Sequence, residues 1–307
     1  MKGYVLLDAG GTEIKSAAFT DSGKQLDDIH SVPSCAQAEK ETILENLITV
    51  IVRENDILAA NGYQIGKVGL AFPGPFDYPK GISHMKGLAK YDAIEGVPLE
   101  EALKSFPGQK VLQPDVRFFF RHDVDSFALG AAFREPSCKV GRILCLCIGT
   151  GSGSAFLENG RLLKQDPRIP DNGWIYPFPF HGSTIDDWIS VRGLKRLTCE
   201  SGFPAGTSGK DLFDLAVQEN RRAAAVWKTF GIFIADALKP FVDSFRPHQL
   251  ILGGQVSKAE RFFGDEMRKR YPELSIRHIS DTTECILLGL LASDRECGAC
   301  PQSGKVI

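Results

Sequence analysis

Apolar residues run from Tyr4 to Leu7 and end at Asp8-Ala9-Gly10-Gly11. The run predicts a buried strand that stops in a glycine turn. Residues 13–19 alternate and predict a second strand. Asp21-Ser22-Gly23-Lys24 marks a turn, after which a third strand is expected. Together these predict a β-meander opened by a glycine hairpin. Over residues 38–61, Ile43, Leu47, Val50 and Ile51 recur at helical spacing and predict a long helix. Lys67 to Phe72 predicts another strand, halted by Pro73-Gly74-Pro75. Phe118-Phe119-Phe120-Arg121 reads as a buried strand leading to Asp123, after which an apolar helical pattern begins.

The second half repeats this outline about 140 residues later. Arg142 to Ile148 is a predicted strand, Gly149-Thr150-Gly151-Ser152-Gly153-Ser154 a glycine turn, Ala155 to Leu157 a strand, and Glu158-Asn159-Gly160-Arg161 a hairpin turn. Asp166 to Pro179 is proline-rich and reads as a loop. Helices are expected over Thr184–Ser201, Gly209–Asn220, Arg222–Val242, Ser257–Arg270 and residues 285–296, and a late strand over Leu250–Leu252 that ends in Gly253-Gly254. Two occurrences of strand, glycine loop, strand, turn and strand imply a duplication: two α/β domains of similar build, facing each other across a cleft.

Composition narrows the function classes. The 307 residues suit two domains, and 43% hydrophobic with 24% charged residues is ordinary for a globular chain. A net charge of −2 gives no electrostatic case for a nucleic-acid or membrane partner. No apolar run reaches the roughly 18 residues of a membrane span, and the apolar start is too short for a signal peptide, so a cytoplasmic protein is expected. The eight cysteines are scattered, which predicts reduced, buried thiols rather than a disulfide framework.

The glycine turns carry the candidate chemistry. Gly10 and Gly11 let a hairpin close around a polyphosphate, and backbone N–H groups in such a turn form an anion-binding concavity. Thr12 adds a hydroxyl donor. Asp8 at the strand end can hold a hydrated magnesium ion, which is content with one or two carboxylates and its own waters. No G-x-x-x-x-G-K-[ST] motif is present, which excludes a P-loop. Gly149-Thr150-Gly151 leads into a strand rather than a helix, which contradicts a dinucleotide fingerprint.

Seven segments, in order along the chain, resemble the ROK family (repressors, uncharacterised reading frames, kinases). Asp8 to Lys15 resembles its first phosphate motif, D-x-G-G-T-x-I-K. Phe72-Pro73-Gly74-Pro75-Phe76-Asp77 followed by Gly81 resembles P-G-P-[VF]-D…G near the sugar. Gly96-Val97-Pro98-Leu99 resembles G-[VI]-P-L, and His122-Asp123-Val124-Asp125 to Gly130 resembles N-D-A-N-A-A-A-L-G. Gly149 to Ser154 resembles the second phosphate loop. Leu252-Gly253-Gly254-Gln255-Val256-Ser257 resembles the adenosine motif, and Leu287 to Ala292 the closing helix.

The resemblance implies two RNase H-like (actin-like ATPase) domains, one of residues 1–115 with 285–300 and one of 116–284. It implies a sugar kinase that uses ATP and Mg2+ to phosphorylate a hexose or an amino or N-acetylated hexose. Asp123 would be the catalytic base; its competing reading is a helix N-cap, and both can hold. Asp8, with a water-held Mg2+, and Gly10, Gly11, Thr12, Lys15, Gly149, Thr150, Gly151, Gly253 and Gly254 would serve the nucleotide. Pro73, Gly74, His84, Lys86, His122 and Asp186 would join Asp123 at the sugar. The family also allows a homodimer.

The chain departs from the family on the sugar side. Asp171-Asn172-Gly173-Trp174-Ile175-Tyr176 stands in the region of the family's G-E-x-G-H and zinc motif, so no zinc is expected. Ser183 to Ser190 resembles G-C-L-E-x-Y-x-S, with Asp186 at the sugar-binding Glu. Trp174, Tyr176 and His181 are candidates for a rebuilt pocket or for loop packing alone. His84 and Lys86 occupy the place of the family's sugar-binding Asn. Cys297-Gly298-Ala299-Cys300 has zinc-like spacing, but two ligands do not close a tetrahedral site. Two rival readings stand beside the kinase: a catalytically idle sugar sensor and an actin- or chaperone-like ATPase. A DNA-binding repressor is not expected, because the phosphate motif begins at Asp8.

Overall fold

A computed structural model describes residues 1–134 and 136–298. The Cys297–Cys300 pair lies outside the described side chains. The chain divides into two units, Met1–Arg134 with the segment from Thr283 onward, and Glu135–Thr282.

In the first unit the apolar run forms β1 (Lys2–Ala9), with Val5, Leu6 and Leu7 fully buried. Each such side chain contributes roughly 1.5–3 kcal/mol. β1 pairs antiparallel with β2 (Glu13–Thr20), which sets Asp8 opposite Lys15. β3 (His30–Pro33) extends the meander. It starts later than the turn at residues 21–24 predicts. Residues just after that turn make only an isolated bridge, Phe19 with Gln25, and one bond from Leu26 N–H to the Ala18 carbonyl. α1 (Lys40–Ala60) buries Ile43, Leu44, Leu47, Ile51 and Leu58, the helical face read from the sequence. β4 (Gln64–Phe72) returns parallel to β1. β5 (Phe76–Asp77) and β6 (Ile82–Ser83) form a small hairpin, α2 (Leu99–Lys104) follows, and β7 (Arg117–His122) joins β4 in parallel. α3 (Asp123–Arg134) begins directly after it. The sheet order is β3-β2-β1-β4-β7.

In the second unit β8 (Arg142–Ile148), β9 (Ser152–Glu158) and β10 (Arg161–Leu163) repeat the meander. β11 (Pro179–Phe180) and β12 (Ser183–Thr184) make a short hairpin. The single helix expected over Thr184–Ser201 is two, α4 (Ile185–Trp188) and α5 (Val191–Glu200). The break has a local cause: Thr184 and Ser190 each cap a helix with the side-chain oxygen, and Ser190 is itself non-helical. α6 (Gly209–Val217), α7 (Arg221–Phe245), β13 (Gln249–Gly253), α8 (Glu260–Arg270) and β14 (Ser275–His278) complete the unit. The sheet order is β10-β9-β8-β13-β14, so the third, second, first, fourth and fifth main strands are neighbours as in the first unit. Each unit is therefore an RNase H-like α/β layer, and the duplication read from the sequence is one of topology.

α9 (Thr282–Gly298) carries the chain back to the first unit. The boundary expected at 115/116 falls instead after Arg134. The reason is non-local pairing: β7 bonds to β4 over six residues, so Asp123 belongs to the first unit. α3 and α9 are in backbone contact. A Cβ on Gly130 would lie 1.7 Å from the Cys285 carbonyl oxygen, and one on Gly289 would lie 1.8 Å from that of Ser126. The thiols are less uniformly buried than expected: Cys145 and Cys285 are buried, but Cys35 and Cys199 are exposed. No helix among the described residues is long and apolar enough to cross a membrane.

Gly289→Ala is expected to lower the unfolding free energy by roughly 3 kcal/mol, because neither backbone can yield. Gly149→Ala, with nothing within 4 Å of the added carbon, is expected to stay within roughly 1 kcal/mol of the wild type. Urea unfolding midpoints of the two variants check both expectations.

Candidate active site

Parallel strands end on one edge of their sheet, and that edge is where α/β folds collect ligand-binding residues. In the first unit β1, β4 and β7 run parallel, with Asp8 beside Ala71 and Phe72 beside His122. Asp8, the Pro73-Gly74 turn, His122 and Asp123 are thereby brought to one edge.

The first glycine loop closes with a bond from Gly10 N–H to the Glu13 carbonyl, 3.0 Å. A Cβ on Gly10 would press on that same oxygen at 3.0 Å, so a side chain there would crowd the turn. At Gly11 the added carbon would meet only Lys90, at 3.5 Å. Of the two glycines, Gly10 is the crowded one and Gly11 has ordinary clearance. Gly11 and Thr12 are exposed.

Asp8 is half-buried. Burial, then the nearby Asp123 carboxylate, push its carboxyl up to about 7, against the opposing pull of Lys15 and Thr283. Two carboxylates with one neighbouring lysine make a site short of positive charge. No group of three or more His, Cys, Asp or Glu among the described residues is placed to hold a metal ion. The donor set therefore fits a hard cation that shares its coordination with phosphate oxygens and water, as magnesium does, rather than one enclosed by protein.

Asp123 opens α3, and its Oδ1 accepts a bond from Val124 N–H at 2.7 Å. That N–H is the next residue's, not the second or third of the helix that an N-cap serves, and Asp123 is itself the first helical residue; its side chain is 37% exposed. The His122 Nε2 lies 3.4 Å from Asp123 Oδ1. The Tyr78 ring packs edge-on to His122, and its hydroxyl donates to the Phe72 carbonyl. His84 is exposed and is tied to the Pro73–Pro75 turn by its N–H bond to the Pro75 carbonyl, 3.1 Å. Lys86 is also exposed, and its ammonium pairs with Glu95 at 3.5 Å.

In the second unit β8 and β13 end together, with Cys147 beside Gly253. This joins the second glycine loop to the Gly253-Gly254 pair. Gly254 has φ +84°, and a Cβ there would lie 2.4 Å from the Ile148 carbonyl oxygen. Its N–H donates to Thr282 Oγ1. Asp186 has a different local role from the sugar contact expected of it. Its Oδ1 accepts from Ser152 N–H at 2.6 Å and from the Ser152 hydroxyl at 3.2 Å, and its Oδ2 is paired with Arg192. A Cβ on Gly151 would meet Oδ1 at 2.9 Å. Asp186 thus fastens the glycine loop. Trp174 and Tyr176 pack on each other, and His181 packs against Phe180, Trp188 and Phe233.

Three residues that contact the loops were not singled out from the sequence. Tyr91 and Ser34 bond the carbonyls of the first loop, and Arg192 bonds that of Thr150. No motif marks any of them.

The profile of the ROK family matches residues 4–295. An N-acetyl-D-glucosamine kinase of Haemophilus influenzae is 24% identical over 281 residues, 85% of this chain and 86% of that protein. A glucokinase of Thermotoga maritima is 23% identical over 318 residues, 95% and 94% of the two chains. Among solved structures, a ROK family glucokinase from Streptomyces griseus in complex with glucose and AMPPNP shares the fold with a TM-score of 0.74 at 16% identity, covering 96% of this chain and 99% of that one.

The raised Asp8 carboxyl has a measurable consequence. Its ordinary value is 3.8, and in the folded chain it stands at about 7. The folded state therefore holds this proton more tightly than the unfolded state. That stabilisation is fully present below about pH 4 and is lost as pH rises to about 7. Asp166, held down at about 2 by Arg168, acts below this window. Denaturation of the chain without added cation is expected to show stability falling between pH 4 and 7. Asp8→Asn is expected to flatten that slope.

Proposed function

The chain belongs to the ROK family, and on that premise we propose that it is an ATP-dependent sugar kinase that transfers the γ-phosphate to a hydroxyl of a hexose or of an amino or N-acetylated hexose. The observation that carries the proposal is the edge of the first sheet, where one glycine loop, Asp8 and Asp123 come together. Asp123 keeps an oxygen free to accept the hydroxyl proton as the sugar oxygen attacks the γ-phosphorus. The bond from that phosphorus to the β,γ-bridging oxygen breaks, and ADP leaves. The Asp123 proton is then released to solvent. Asp8 would hold Mg2+ through water, and the ion would neutralise charge on the phosphates. In each unit taken by itself, the loop N–H groups would serve phosphate oxygens, and Gly253-Gly254 would serve the adenosine. The reaction would consume ATP, and the compartment we propose for it is the cytoplasm.

A second reading rests on a specific observation. Asp186 is engaged on both oxygens and Lys86 pairs with Glu95, so two expected sugar contacts are committed elsewhere. The alternative is a catalytically idle sugar-binding sensor, in which a changed sugar side no longer presents a hydroxyl for transfer. In the kinase reading, His122 and the Pro73-Gly74 turn carry more of the sugar recognition.

Coupled ADP release with a panel of hexoses, amino sugars and N-acetylated sugars separates the readings. Sugar-dependent turnover is expected, with Asp123→Asn lowering kcat by roughly 10²–10⁴-fold. Turnover that needs no sugar would favour an ATPase. Sugar binding by calorimetry without turnover would favour the sensor.

A further inference from the structure

The carbonyls of the first glycine loop are all engaged from one side. Tyr91 donates its hydroxyl to the Gly10 carbonyl at 2.8 Å, and Ser34 donates its hydroxyl to that of Gly11 at 2.9 Å. The main-chain N–H of Ser34 donates to the Thr12 carbonyl at 2.9 Å. Each of the two hydroxyls spends its one proton on a loop carbonyl, and Ser34 holds two successive carbonyls through its hydroxyl and its N–H. Both residues are held firmly. Tyr91 is fully buried, its ring packs on Phe72 at 4.7 Å, and its N–H bonds the Ala36 carbonyl. Ser34 is 2% exposed and accepts from Ala36 N–H.

In a trans peptide the C=O and the following N–H point in opposite directions. Fixing the Gly10 and Gly11 carbonyls therefore fixes the N–H groups of Gly11 and Thr12 on the opposite, exposed face. Neither N–H meets an acceptor among the described residues. The second unit repeats the arrangement with different groups. Val191 N–H bonds the Gly149 carbonyl at 2.9 Å, and the Arg192 guanidinium bonds that of Thr150 at 3.1 Å. The N–H groups left facing outward there are those of Thr150 and Gly151. Two loops that share no clamping residue types converge on the same result.

We infer that Tyr91 and Ser34 are positioning residues that pre-set the first loop for phosphate oxygens, by pulling its carbonyls to the back so that two consecutive N–H groups face the ligand together. Without them a single peptide flip would present a carbonyl oxygen to a polyanion, and glycine offers that flip little resistance. This rests on the nucleotide reading proposed above. It adds that affinity for the polyphosphate depends on two buried hydroxyls that lie behind the loop and touch no ligand.

The test uses the full chain with Tyr91→Phe, Ser34→Ala and the double variant. Tyr91→Phe keeps the ring packing and removes only the donor. Calorimetry with a non-hydrolysable ATP analogue and Mg2+ is expected to show a roughly ten-fold weaker Kd for each single variant. AMP, which lacks the β- and γ-phosphates, is expected to bind each variant within about two-fold of the wild type, and KM for the sugar is expected to change as little. A fall in thermal stability with unchanged analogue binding, or an equal loss for AMP and the analogue, would overturn the inference and leave the two hydroxyls a packing role. If the wild type binds neither nucleotide, the nucleotide reading fails and the inference with it; binding that is the same in wild type and variants overturns the inference alone.

Discussion

Two helices that touch backbone to backbone hold the first unit in its working form. Gly130 on α3 faces the Cys285 carbonyl on α9, and Gly289 on α9 faces that of Ser126 on α3. The contact is reciprocal and leaves no room for side chains at either point. Its effect is felt at the far end of α3, where Asp123 stands on the first turn of a helix that cannot slide or roll. If Asp123 is the base proposed above, a packed helix is a suitable mount for it, because such a group has to be held close to its productive geometry. The same crossing supplies Thr283, whose hydrogen bond tempers the Asp8 carboxyl. The closing helix thus reaches Asp8 through Thr283 and packs on the helix that starts at Asp123.

Charge and backbone share the work at the two glycine loops. Asp8 and Asp123 make the first unit's edge electrostatically costly until a cation or a proton offsets them. The loop beside them offers N–H dipoles rather than further side-chain charge. In the second unit an arginine is present, but Asp186 neutralises it and it acts through a carbonyl.

Much of this was legible in the sequence, and the residues show why. The run to Asp8, the Gly10-Gly11 and Gly149-Thr150-Gly151 turns and the helix start at Asp123 are local patterns, and local patterns survive folding. The boundary after Arg134 was not legible, because it depends on β7 pairing with β4 across some fifty residues of intervening chain. Asp186 illustrates a second limit. Its place in a family motif pointed to sugar, whereas its neighbours Ser152 and Arg192 draw it onto the loop. Ser34 and Tyr91 illustrate a third. They act through hydroxyls on carbonyls far away in sequence, and nothing in their surroundings marks them.

The return of α9 to the first unit also bears on how the protein is made. A ribosome delivers β1 to α3 first, yet these elements lack their closing helix until the chain beyond Thr283 has emerged. The unit of Glu135–Thr282 is contiguous and has all its strands available earlier. During synthesis the usual order, in which the N-terminal domain folds first, is therefore reversed for its final step. The nascent first unit must wait with the Gly130 face of α3 uncovered until Cys285 arrives to cover it.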